Sequence, residues 1–90
     1  MFDFRLSEAL QLKIRKLLKK DRKKVEIINK KIKEIVSSDK SEIEHYKDLR
    51  GNMAGLKRVH INSHFVLTFR VDFSQNFIRF IDFAHHDDVY

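Results

Sequence analysis

The sequence predicts an α+β fold, on three observations. A short stretch of alternating apolar and polar residues opens the chain, two apolar series at helical spacing follow, and three strand-like stretches lie toward the C-terminus. Ninety residues with no proline and only two glycines leave no room for a linker, so a single domain over residues 1–90 is expected. With no cysteine, disulfides and thiolate-based zinc sites are excluded.

The first alternation is Phe2, Phe4 and Leu6 against Asp3 and Arg5, which predicts a short strand. Ser7 can cap the helix that follows, with Glu8 well placed in its first turn. Leu10, Ile14, Leu17 and Leu18 form one helical stripe, and Val25, Ile28, Ile32, Ile35 and Val36 form another. Asp21 is the only capping-type residue between them, so the turn of a helical hairpin is placed there. A single long helix is the alternative, but it buries less apolar surface in a chain of this size. Residues 37–41 end the helical region, a short turn is expected over residues 42–49, and Gly51 and Gly55 bracket a loop.

Three antiparallel strands are expected over residues 56–61, 64–72 and 76–84. In the first, Leu56, Arg58 and His60 share one face, and Lys57, Val59 and Ile61 share the other. In the second, Phe65, Leu67, Phe69 and Val71 oppose Val66, Thr68 and Arg70. Asn62 and Ser63 suit a tight turn between them, and Asp72, Ser74, Gln75 and Asn76 suit the next. The run Phe77-Ile78-Arg79-Phe80-Ile81 is apolar on both faces, the pattern of a strand covered on both sides.

The net charge of +6 is unevenly placed. Residues 1–36 hold 12 of the 19 Lys and Arg against 5 of the 13 Asp and Glu, whereas all five histidines lie in residues 37–90. A basic half suggests a polyanion such as nucleic acid, or an acidic protein partner; the competing reading is a solvated lysine-rich helix face. The opening residues do not resemble a signal peptide and no apolar run approaches the roughly 20 residues of a membrane span, so a cytoplasmic location without a membrane partner is expected.

No phosphate loop, dinucleotide fingerprint or nucleophile elbow is present. The candidate chemistry lies in Arg58 and His60 on one strand, Arg70 on the next, and His85-His86 after the last. Histidine moves protons near neutral pH, and arginine offers a fork of donors to phosphate oxygens. Together they suit cleavage of RNA, whose 2′-OH is an internal nucleophile; that reaction needs a base, an acid and charge stabilisation rather than a metal. Competing readings make His60 an ordinary edge histidine and His85-His86-Asp87-Asp88 a solvated tail. Adjacent histidines on an extended segment point to opposite faces, which argues against a shared metal, so no metal or cofactor is expected. Arg70 in an otherwise apolar strand predicts a purposeful charge, because burial of an unpartnered charge is costly. Tyr90 can pack on the sheet or stack on a base.

At Tyr46-Lys47-Asp48-Leu49-Arg50-Gly51, Gly55-Leu56-Lys57-Arg58-Val59-His60-Ile61, Val66-Leu67-Thr68-Phe69-Arg70-Val71 and His86-Asp87-Asp88-Val89-Tyr90, the chain resembles the RelE/ParE toxin superfamily. It is most similar to the RelE, YafQ and YoeB branch of type II toxin–antitoxin systems. The resemblance implies a twisted antiparallel sheet with an N-terminal strand, a two-helix hairpin packed on one face and a C-terminal three-strand meander. It implies a ribosome-dependent mRNA endonuclease held by a RelB-like antitoxin in a hetero-oligomer. In family terms His86 is the general acid, Arg70 and Arg58 stabilise charge, and Lys47, His60 and His64 are candidates for the base. Tyr90, Lys57, His64 and Arg50 fall where substrate is bound, and Lys13, Lys16, Lys20, Lys23 and Lys24 would hold ribosomal RNA. The rivals are a ParE-like gyrase inhibitor, which generally lacks the terminal histidine, and a non-catalytic RNA-binding protein of the same fold.

Overall fold

A computed structural model describes residues 1–48 and 56–85. Its order is β1 (Asp3–Leu6), α1 (Glu8–Lys20), α2 (Arg22–Val36), α3 (Lys40–Glu44), β2 (Lys47–Asp48), β3 (Leu56–Ile61), β4 (Phe65–Asp72) and β5 (Phe77–His85). The strands form one sheet in the order β1-β5-β4-β3-β2. The C-terminal meander is antiparallel, as the sequence predicts, but β1 pairs with β5 in parallel, so the sheet is mixed at that edge.

Local chemistry sets the helix boundaries. Ser7 Oγ accepts from Leu10 N–H at 3.1 Å and donates to the carbonyl of Ile81, so one side chain caps α1 and ties it to β5. Asp21 both ends α1 and caps α2, accepting from Lys24 N–H at 3.1 Å; a single residue makes the hairpin turn. At α3, Asp39 and Glu42 form a capping box. That helix and the two-residue β2 refine the short turn expected over residues 42–49.

Leu10, Ile28, Ile32, Ile35 and Ile43 from the helices meet Ile61, Leu67, Phe69, Ile78, Phe80 and Phe83 from the sheet in one core. The helices therefore cover the face bearing Val59, Ile61, Leu67 and Phe69 and leave the face bearing Arg58, His60 and Arg70. The expectation that β5 is covered on both sides is only partly met, because Arg79 is exposed. Ile81 is the extra residue of a bulge: Phe69 pairs with Phe80 and Thr68 with Asp82, leaving Ile81 unmatched. The two tight turns place Asn62 and Asn76 at φ 53° and 54°, left-handed backbone that asparagine tolerates better than most residues.

Candidate active site

The face away from the helices is ordered in rows across the strands. Lys47 of β2, Arg58 of β3 and Thr68 of β4 occupy one row by backbone register. Two residues along β3, His60 pairs with Val66 and through it with Ala84. Two residues along β4, Arg70 pairs with Leu56 on one side and Arg79 on the other. Diagonal neighbours on one face lie about 7–8 Å apart, within reach of arginine side chains. Arg58, His60 and Arg70 thus share one patch. Arg70 is exposed, so its charge carries no burial cost, contrary to the premise drawn from its apolar strand. The Nε and Nη1 atoms of Arg58 are shielded from solvent, unlike the exposed side chain of Arg70.

The other candidates are dispersed. Lys57 is on the opposite face of β3 from Arg58, is only 8% exposed, and donates from Nζ to the carbonyl of Tyr46 at 3.2 Å. His64 lies at the β3–β4 turn, its ring stacked on that of His85 with centroids 6.0 Å apart and planes 7° from parallel. His85 also meets the edge of Phe65 at 5.6 Å, and Lys24 Nζ sits 4.0 Å above the Phe65 ring. Lys13 pairs with Asp82 at 2.8 Å and donates to the carbonyl of Phe83 at 3.0 Å. Lys16, Lys20 and Lys23 are exposed on the helices. The five helix lysines therefore divide into two with partners in the fold and three facing solvent. Arg50, His86 and Tyr90 lie outside the described residues.

Two site-facing residues were not legible in the sequence. Arg5 pairs with Arg79, and Arg79 with Arg70, so three exposed arginines occupy one row across β1, β5 and β4. The alternation of β1 sets Arg5 apart from Phe4 and Leu6, whereas the β5 run reads as covered on both faces, and only the parallel β1–β5 register brings Arg5 and Arg79 side by side. Among the described residues, no group of three or more His, Asp or Glu side chains is arranged to hold a metal ion. No helix among them is long and apolar enough to cross a membrane.

No protein-family profile matches the chain. A protein of Methanocaldococcus jannaschii that carries the toxin name RelE4 is 40% identical over 90 residues, covering all of this chain and 92% of the relative. The chain belongs to the RelE/YoeB-like toxin superfamily. Solved structures of RelE-like toxins share its fold. A YoeB/ParE toxin from Agrobacterium tumefaciens superposes with a TM-score of 0.79 at 20% identity, covering 94% of this chain and 99% of that one. The toxin fold of the heterotetrameric YoeB–YefM toxin–antitoxin complex from Staphylococcus aureus gives 0.74 at 22% identity, covering 96% and 98%. The RelE-like α+β architecture is thus the fold of this chain.

Proposed function

We propose that this RelE-like toxin is a ribosome-dependent mRNA endonuclease neutralised by a cognate antitoxin. The observation that carries the reading is the shared open face of Arg58, His60 and Arg70, with Lys47 in the row of Arg58. In the proposed reaction the 2′-oxygen attacks the adjacent phosphorus, the P–O5′ bond breaks, and a 2′,3′-cyclic phosphate and a 5′-OH result. A base takes the 2′ proton, and an acid protonates the departing 5′-oxygen. Charge grows on the non-bridging phosphate oxygens as the new bond forms, and guanidiniums placed beside the phosphate stabilise that charge. Arg58 and Arg70 are the residues for that task.

His86, directly after β5 in the chain, is proposed as the acid. Of the three candidate bases, His60 fits best, because it is exposed on the face that carries Arg58 and Arg70. His64 is engaged with His85 beside Phe65, whose row continues the helix-covered face. The YoeB–YefM complex of the same fold supports an antitoxin as partner here. Exposed lysines on α1 and α2 would hold ribosomal RNA, an interaction set by charge rather than base sequence.

The test is product chemistry. Message bound to the ribosome should yield 2′,3′-cyclic phosphate and 5′-OH ends, and a 2′-deoxy substitution at the scissile nucleotide should abolish cleavage. Cleavage that survives the 2′-deoxy substitution would refute 2′-OH attack.

A further inference from the structure

Arg5, Arg79 and Arg70 stand in one register row on the open face, one on each of three adjacent strands. Like charges directly opposite one another in a sheet are destabilising, and here two such pairs share a member. All three are exposed, and none makes an ion pair or side-chain hydrogen bond within the described residues. The nearby carboxylates are few. Asp3 and Asp72 lie two residues away along β1 and β4, and Asp72 is already engaged by Ser74 and by the backbone N–H of Gln75. Glu8 shares with Arg5, Arg79, Ser7 and Gln11 the lining of a cleft of about 400 Å³ at the β1 edge. Among the described residues, no ion pair offsets the repulsion in the row, which runs from Arg70 to a cleft at the margin of the sheet.

We propose that Arg5 and Arg79 are positioning residues that carry the phosphate backbone of the bound message from the reacting phosphate at Arg70 to the β1-edge cleft. Two inter-strand steps span about 10 Å, so the row can hold successive phosphates of one extended strand, and each guanidinium presents a fork to its phosphate. Bound phosphates would convert the mutual repulsion of the three arginines into shared attraction. The proposal rests on the endonuclease reading and adds the path of the substrate strand. The message is favoured over ribosomal RNA because the row begins at the residue placed beside the reacting bond.

The experiment is single-turnover cleavage of ribosome-bound message as a function of toxin concentration, for the wild type, Arg5→Gln, Arg79→Gln, Arg79→Lys and Arg70→Ala. Each glutamine variant should raise the half-saturating concentration by about threefold to tenfold while changing the maximal rate less than twofold. Each should flatten the log–log salt dependence by about 0.7. Arg79→Lys should recover the salt slope, since a point charge meets a phosphate even without the fork. Thermal midpoints of the glutamine variants should hold or rise, which separates a binding role from a structural one. Unchanged half-saturation and salt slope in both glutamine variants, with Arg70→Ala inactive, would overturn this proposal and leave the endonuclease reading standing. Weakened antitoxin inhibition with unchanged cleavage would make the row a protein-contact face and would also overturn it. No cleavage by the wild type would overturn both.

Discussion

Arg58 and Arg70 stand diagonally on one face of β3 and β4: Arg58 is opposite Thr68, and Arg70 lies two residues further along the same strand. This relation needs only the hairpin register, which the Asn62 turn sets, so two guanidiniums are placed together by backbone pairing alone. Among the described residues, the Arg70 side chain makes no ion pair or hydrogen bond. Its removal therefore costs the fold little.

Arg70→Ala should lower single-turnover cleavage by about 10²–10³-fold, the usual effect of removing one preorganised charge-stabilising group. At about 1.4 kcal/mol per decade this is roughly 3–4 kcal/mol of barrier lowering. The thermal midpoint should stay within a few degrees of wild type. Arg58→Ala should slow the reaction similarly, and the double variant should lose less than the product of the two, because both act on one phosphorane. Full activity in both single variants would show that the open face is not the reaction site.

Ser7→Ala tests the link between helix and sheet. It removes the α1 cap and the bond to the Ile81 carbonyl together, at a cost of about 1–2 kcal/mol. In a domain of this length each kcal/mol lowers the midpoint by about 4–8 °C. Ser7→Thr should recover most of the loss, whereas an unchanged midpoint in Ser7→Ala would show that the contact contributes nothing net.

The structure divides the helix lysines, and the division is measurable. Neutralising Lys16, Lys20 and Lys23, all exposed, should flatten the salt dependence of ribosome binding by about 0.7–0.9 per lost phosphate contact, with little change in stability. Neutralising Lys13 and Lys24 should act first on stability, because Lys13 holds Asp82 and the Phe83 carbonyl and Lys24 covers Phe65. Equal midpoints for the two sets of variants would contradict the division.

Stability should fall at both extremes of pH, for identifiable reasons. Burial, reinforced by the carboxylates of Glu34 and Glu42, pushes the Tyr46 phenol above its ordinary value of about 10. The folded state then keeps a proton that the unfolded chain has released. Stability must decline as pH rises from that ordinary value through the raised one, and Tyr46→Phe should remove this part of the alkaline slope in chemical denaturation. On the acid side, backbone N–H and hydroxyl donors hold Asp39 and Asp72 below the usual carboxylate range. Their contribution is present above the ordinary value and is lost as pH falls through the folded ones.

The parts legible in the sequence are those decided within a few residues. Ser7 and Asp21 are capping residues where the periodicity breaks, and the structure uses both as caps. Period-2 alternation likewise separates Lys57 from Arg58, although only the packed structure shows that Lys57 reaches the Tyr46 carbonyl. What was not legible joins distant segments. The parallel register of Arg5 with Arg79 connects residues 74 apart, and the Ile81 bulge depends on how β5 meets β4. The apolar neighbours of Arg70 in its own strand predict a costly charge, yet it is exposed while Val66 and Thr68 on the same face of β4 are buried, a difference set by packing rather than by that strand's pattern.

The most direct test of the account is single-turnover cleavage of ribosome-bound message by His86→Ala and His85→Ala, side by side. A positioned proton donor at the 5′-oxygen is worth roughly 10²–10⁴-fold, so His86→Ala should lose that factor and still bind antitoxin. His85→Ala loses a ring contact with His64 and Phe65 and should stay within about tenfold of wild type. An inactive His85→Ala with an active His86→Ala would move the acid by one residue. Full activity in both would contradict the nuclease mechanism.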